Sequence, residues 1–132
     1  MIEKKVRSIL RHQWSVAETE KCGALISALR KDEEVMVVPV FDVNNQPIGL
    51  IDRQAALSVV SNPLHFSVYE NRAAKMLLQE SFPVFDADTS IDVASEHILA
   101  LGLSLSSGGF LITEDGQYQG VGHNTDMLNY LV

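Results

Sequence analysis

The residues with the chemistry to run a reaction or hold a metal are few and dispersed. Histidines stand at His12, His65, His97 and His123, without the HExxH or CxxC spacing that gathers zinc ligands. No GxSxG elbow presents a nucleophile, and no GxxxxGKS/T loop cradles a phosphate. The glycines of GGFLITEDG and GQYQGVG do not fall as G-x-G-x-x-G between a strand and a helix. Asp42 with Asn44 and Asn45 lacks the glycine and terminal glutamate of a calcium loop; such side chains bond their own backbone and make a turn. The lone Cys22 has no intramolecular disulfide partner, which agrees with a reducing compartment, and it falls on an apolar stripe where a core role suffices. Arg53 and Arg72 are cations that a phosphate could use, although isolated surface arginines are the rule. No metal site and no catalytic constellation are expected.

The chain has 132 residues, 46% hydrophobic and 20% charged, enough for one compact domain or two small packed halves. A net charge of −7 repels a phosphate backbone, so nucleic acid is a poor partner. No apolar run approaches the roughly 20 residues that span a bilayer, and MIEKKVRSILRHQ lacks the apolar centre of a signal peptide. A cytoplasmic protein is expected.

Cys22, Leu25, Ile26 and Leu29 recur at the spacing of a helix on a core, and VMVVPVF (35–41) reads as a strand covered on both faces. A turn over Asp42–Pro47 leads to a second strand, Ile48–Ile51, and then to a helix with Ala55, Ala56, Val59 and Val60 on one side, ended by Asn62-Pro63. Phe66, Tyr69, Ala73, Met76 and Leu77 suit a connecting helix, followed by a short extended lead, Pro83-Val84-Phe85. The order then recurs. Thr89-Ser90-Ile91-Asp92 has the form of a helix start, with Ile91, Ala94, Ile98 and Leu101 at helical spacing. Ser106–Gly109 breaks the chain, Phe110–Thr113 and Tyr118–Val121 form a hairpin across Glu114-Asp115-Gly116, and Asn124 or Thr125 opens a last helix bearing Met127, Leu128 and Leu131.

A shift of 71 residues aligns Val40–Leu57 with Leu111–Leu128 without a gap, matching Gln46 to Gln117, Gly49 to Gly120 and Leu57 to Leu128. With the matching order of elements, this predicts a tandem of two βαββα-like units, divided at 1–65 and 66–132. The duplicated strand, Asn/Asp-rich turn, glycine-containing strand and helix, joined through AAKMLLQESFPVFDADTSIDVASEHI, resemble a tandem CBS-domain pair, or Bateman module, over residues 12–132. GGFLITEDGQYQGVGHNTDML is similar to the divergent pair found ahead of bacterial cyclic-di-GMP turnover domains.

The resemblance implies an α+β fold of two CBS units packed as a pseudo-two-fold pair. It also implies a regulatory, non-catalytic module with an adenosine derivative such as AMP, ATP or S-adenosylmethionine in a cleft between the units. In the family pattern a hydroxyl residue after the glycine-containing strand, with Asp three positions later, contacts phosphate and ribose. The first unit has Asp52 and Ala55 at these positions and is expected to have lost the contacts; the second has His123 and Asp126. Ligand contacts are therefore expected from Asp126, His123, Thr125 and Thr89, with Gly109 and Phe110 flanking the adenine. Four of these features also have a plain structural alternative: Asp126 favouring a helix dipole, His123 as a solvated or capping residue, Thr89 capping its helix, and the paired glycines making a loop. The resemblance further implies a homodimer and a signalling-enzyme partner or fused domain. The competing expectation is a ligand-free dimerisation or interaction module whose clefts are filled by its own side chains.

Overall fold

The computed structural model describes residues 3–131. In chain order the strands and helices are β1 Leu10–His12, β2 Val16–Ala17, α1 Cys22–Lys31, β3 Val37–Phe41, β4 Pro47–Asp52, α2 Arg53–Val59 and α3 Pro63–Tyr69. There follow β5 Val84–Asp86, α4 Ile91–Ala100, β6 Gly109–Glu114, β7 Gln117–His123 and α5 Asn124–Leu131, with short 3-10 helices at Val6–Ile9 and Ala74–Leu77. The fold class is the expected α+β, with a βαββα order in each of two units.

The first unit is Trp14–Ser81, and the second joins residues 3–13 to 82–131. This differs from the expected division at 65/66, and hydrogen bonding explains why. In the second unit β1 pairs antiparallel with β7, the Val6 N–H donates to the Thr89 carbonyl at 2.9 Å, and the Val6 side chain is fully buried. In the first unit Ala73 bridges Lys21, and Gln79 exchanges both backbone bonds with Leu50 on the outer edge of β4. Each unit thus takes in the segment that leads toward the other unit's strands in the sequence.

The expected connecting helix over 66–77 is interrupted after Tyr69. Helix α1 has no side-chain N-cap, and its Cys22 and Gly23 N–H groups instead donate to the carbonyls of Arg72 (2.8 Å) and Glu70 (2.9 Å). Those carbonyls can face α1 only because the chain turns there. Asn62-Pro63 ends α2 as expected and also starts α3, with Asn62 Oδ1 accepting from the Leu64 N–H and Pro63 in the first turn.

Each unit closes its own core. Leu25, Ile26 and Leu29 of α1 pack with Val38, Val40 and Ile51, and the partly buried Trp14 lies against them; Ile91, Ala94 and Ile98 of α4 pack with Phe85, Phe110, Ile112 and Met127. All of β3 is buried, including Pro39 in the central strand of the order β2-β3-β4. Pro39 is tolerated because its partner Leu50 turns both backbone groups away to Gln79, and β2 pairs only from Val40 onward. Cys22 is buried as expected, and burial pushes its thiol pKa up.

The duplication is real, but its register differs from the gapless alignment. Val37 pairs with Asp52 and Gly109 with His123, so the first strands are offset by 72 residues and the second strands by 71. The second hairpin turn is one residue shorter.

Candidate functional site

The joint between the last strand and the last helix of each unit is built the same way. In the second unit the Asn124 N–H donates to the Gly108 carbonyl at 3.0 Å, and its Nδ2 donates to the carbonyls of Ser104 (3.0 Å) and Ser107 (2.9 Å). In the first, the Arg53 N–H donates to the Met36 carbonyl at 2.9 Å, and its Nη1 donates to Asp32 (2.7 Å) and Val35 (3.1 Å). These acceptors are equivalent under the offset of 72, so Arg53 does the work of Asn124 and is a clamp on the loop before β3. Arg53→Leu should lower unfolding stability by about 1–2 kcal/mol, read as a lower urea midpoint, because two bonds from a charged donor are lost. An unchanged midpoint would remove the clamp role.

The carboxylates at the two joints differ. Asp52 caps its own helix, with Oδ2 accepting from the Ala55 N–H at 3.0 Å, and Ala55 offers no acceptor. Asp126 lies in the first turn of α5 with 24% of its side chain exposed, and its Oδ2 is 3.4 Å from Nε of Arg11. Arg11 Nε also donates to Nδ1 of His123 at 3.4 Å, and the rings of His12 and His123 meet edge to face at 5.9 Å. Arg11 and His12 are the site residues that sequence reasoning missed. They lie more than a hundred residues from Asp126 and reach it on β1, whose three residues carry no readable pattern.

His123 was expected to donate to a phosphate, more strongly when protonated. It is only 1% exposed, and burial first, then the nearby Arg11 and His12, push its pKa down to about 4, against a smaller opposing pull from Asp126. The ring is neutral near pH 7, and with Nδ1 accepting from Arg11 its proton sits on Nε2. Near pH 7 the ring therefore meets a ligand as a neutral imidazole rather than as the protonated donor.

Phe110 is fully buried in the second core, packed edge to face on Phe85 at 5.4 Å, and its ring covers Gly122 so closely that a Cβ there would overlap it. Phe110 is thus a core side chain, enclosed where the resemblance implies one flanking an adenine. Thr89 follows β5, at the end of the sheet where Asp86 pairs with Thr113. Gly109 and His123 pair at the opposite end, four strand residues or about 13 Å away. Thr89 is thus not brought to the joint. Nor is it the helix cap: Ser90 Oγ accepts from the Val93 N–H, because the helix starts one residue later than expected. Around Thr89 the exposed Arg7 pairs with Asp88 at 2.7 Å and Glu114 at 3.1 Å, holding the Asp88 carboxyl below its ordinary pKa.

Gly109, Thr125 and Asp126 do share the joint, as does His123. Gly108 has φ +81°, a left-handed conformation that shapes the loop before β6. Asn124 Oδ1 is buried without a hydrogen-bond partner among the described residues. Leaving it so costs about 1–3 kcal/mol, which a donor arriving at the helix start would relieve. Among the described residues no cluster of His, Cys, Asp and Glu is suited to a metal ion, and no helix is long and apolar enough to cross a membrane.

The two βαββα units have the fold of CBS-domain pairs. The CBS domain of a CBS domain-containing membrane protein from Sphaerobacter thermophilus superposes with TM-score 0.78 at 17% identity, covering 98% of this chain and 89% of that one. The structure of CBSX2 in complex with AMP gives 0.69 at 16% identity over 96% and 95% of the two chains. The CBS domain pair of MJ0100, in complex with 5-methylthioadenosine and S-adenosyl-L-methionine, gives 0.72 at 13% over 98% and 97%. No family model matches the sequence, and no curated protein matches it.

Proposed function

We propose that this chain is a non-catalytic regulatory module in the cytoplasm. It takes an adenosine-type ligand at the α5 joint of its second unit and reports it through a homodimer to a signalling enzyme, either a partner or a fused domain. The observation that carries the reading is the asymmetry of the joints: Asp126 keeps a partly exposed carboxylate in the first turn of α5, whereas Asp52 is spent on its own helix and Ala55 has no acceptor. A carboxylate there accepts from both ribose hydroxyls, and the first-turn N–H groups with the positive helix end favour a phosphate. Solved structures of the same fold in complex with AMP and S-adenosyl-L-methionine support the ligand class. The likeness of the second unit to pairs ahead of cyclic-di-GMP turnover domains favours an enzyme of that kind as the output. Isothermal titration with AMP, ATP and S-adenosylmethionine should give saturable binding to at least one of them, and no heat from any at millimolar concentration would reject the reading.

A ligand-free dimerisation module is the second reading. It is favoured by the burial of His123 and Phe110 and by the pairing of Asp126 with Arg11, since each occupies a group the ligand would use. It predicts flat titrations alongside a dimer that persists in sedimentation.

A further inference from the structure

We infer that Arg11 makes the α5 joint selective for phosphorylated adenosine nucleotides over S-adenosylmethionine and over the bare nucleoside; the inference rests on the reading of that joint as an adenosine site. A chain of net charge −7 needs a local cation to hold an anion. Pairing of Leu10 with Gly122 and of His12 with Val121 sets Arg11 beside the last residues of β7, where α5 begins. His123 is buried there, so among the described residues the positive charge paired with Asp126 is the Arg11 guanidinium.

That guanidinium is poised rather than committed. Both of its contacts run through Nε at 3.4 Å, long for a hydrogen bond, and 42% of its side chain is exposed. An ion pair this open contributes little net stability, so a phosphate can draw the guanidinium across at low cost and release Asp126 to the ribose. The planar fork of a guanidinium matches two phosphate oxygens, and such charge-assisted bonds are about twice as strong as neutral ones. S-adenosylmethionine instead brings a sulfonium and an ammonium against a single carboxylate, so it is a net cation with no phosphate for the guanidinium, and its charge is the less favourable one beside Arg11. Adenosine brings nothing for it to hold.

The test titrates the full chain, as wild type, Arg11→Gln and Arg11→Lys, with AMP, adenosine and S-adenosylmethionine. Wild type should bind AMP at least about tenfold more tightly than adenosine, with S-adenosylmethionine weaker than AMP. Arg11→Gln should bring AMP down to the adenosine level, a loss of about 10- to 100-fold, while adenosine itself is unmoved. Arg11→Lys should keep part of the AMP preference. Equal affinities for AMP and adenosine in wild type, or undiminished AMP binding by Arg11→Gln, would overturn the inference. If Arg11→Gln loses both ligands, Arg11→Lys decides: a retained AMP preference supports the inference and a lost one overturns it. Silence of all three ligands on wild type would instead overturn the reading of the joint as an adenosine site.

Discussion

Gly49→Ala is expected to destabilise the protein by about 2–3 kcal/mol, seen as a lower urea midpoint with an unchanged slope. The sign is informative, because alanine in place of glycine within a strand would by itself stabilise by about 0.5–1 kcal/mol. Here a Cβ would stand 2.6 Å from the carbonyl oxygen of Gln79 and 2.7 Å from Cδ1 of Leu78. Relief requires the segment around Gln79 to move off β4, and that breaks its two backbone bonds with Leu50, at 3.1 and 2.7 Å. The same contact recurs in the second unit, where a Cβ on Gly120 would stand 2.7 Å from the carbonyl oxygen of His12. The shared glycine of the sequence repeat therefore exists to admit a passing strand. In the second unit that strand carries Arg11, so Gly120→Ala should also weaken ligand binding. Stability equal to or above wild type for Gly49→Ala would mean that the segment does not seat there.

The second large effect is a loss of stability on mild acidification, set by His123. An unfolded histidine takes up its proton near pH 6.5, whereas the folded ring does so only near about 4. Between those values the unfolded state binds more protons, so stability falls as the pH falls. The contribution is fully present above pH 6.5 and is lost as the pH reaches about 4. At about 1.4 kcal/mol per pH unit the change is up to about 3 kcal/mol, reduced by the solvent that reaches the neighbouring Arg11. Arg11, His12 and Asp126 face the ring, and the first two reinforce the shift while Asp126 opposes it. Urea unfolding followed from pH 7.5 to 4.5 should show this slope, and His123→Gln should flatten it. A wild-type midpoint that does not move across that range would contradict the buried neutral ring.

The parts legible in the sequence were those whose pattern is local. The stripe Cys22, Leu25, Ile26 and Leu29 is buried in α1, and the last five residues of the apolar run before Asp42, Val37–Phe41, are a strand buried along its whole length, whereas Met36 of the expected strand precedes it and is exposed. Both hairpins and the helix starts after β4 and β7 could be placed because turn residues and periodicity mark them within a few positions. What stayed hidden depends on contacts distant in sequence. Strands of two or three residues such as β1 and β2 have no periodicity to read, and only their pairing with β7 and β3 reveals them. The break after Tyr69 is imposed by the unsatisfied N–H groups of α1, some fifty residues earlier in the chain. At the site, Asp126 and Gly109 were named through the resemblance to the CBS pattern and not from spacing, and both lie at the joint of β7 with α5. Phe110 could not be placed, because alternation along β6 does not say which face meets Met127 and which meets a ligand. Arg11 was out of reach for the same reason as β1.

The central claim is that the joint at Asp126 is a working nucleotide site while the joint at Asp52 is not. Calorimetric titration of AMP into wild type, Asp126→Ala and Asp52→Ala tests it most directly. Saturable binding is expected in wild type with about one AMP per chain, abolished or weakened at least about tenfold by Asp126→Ala and unmoved by Asp52→Ala, whose cost should appear only as stability, about 1 kcal/mol for a lost helix cap. Absence of binding in wild type, or binding indifferent to Asp126, would contradict it.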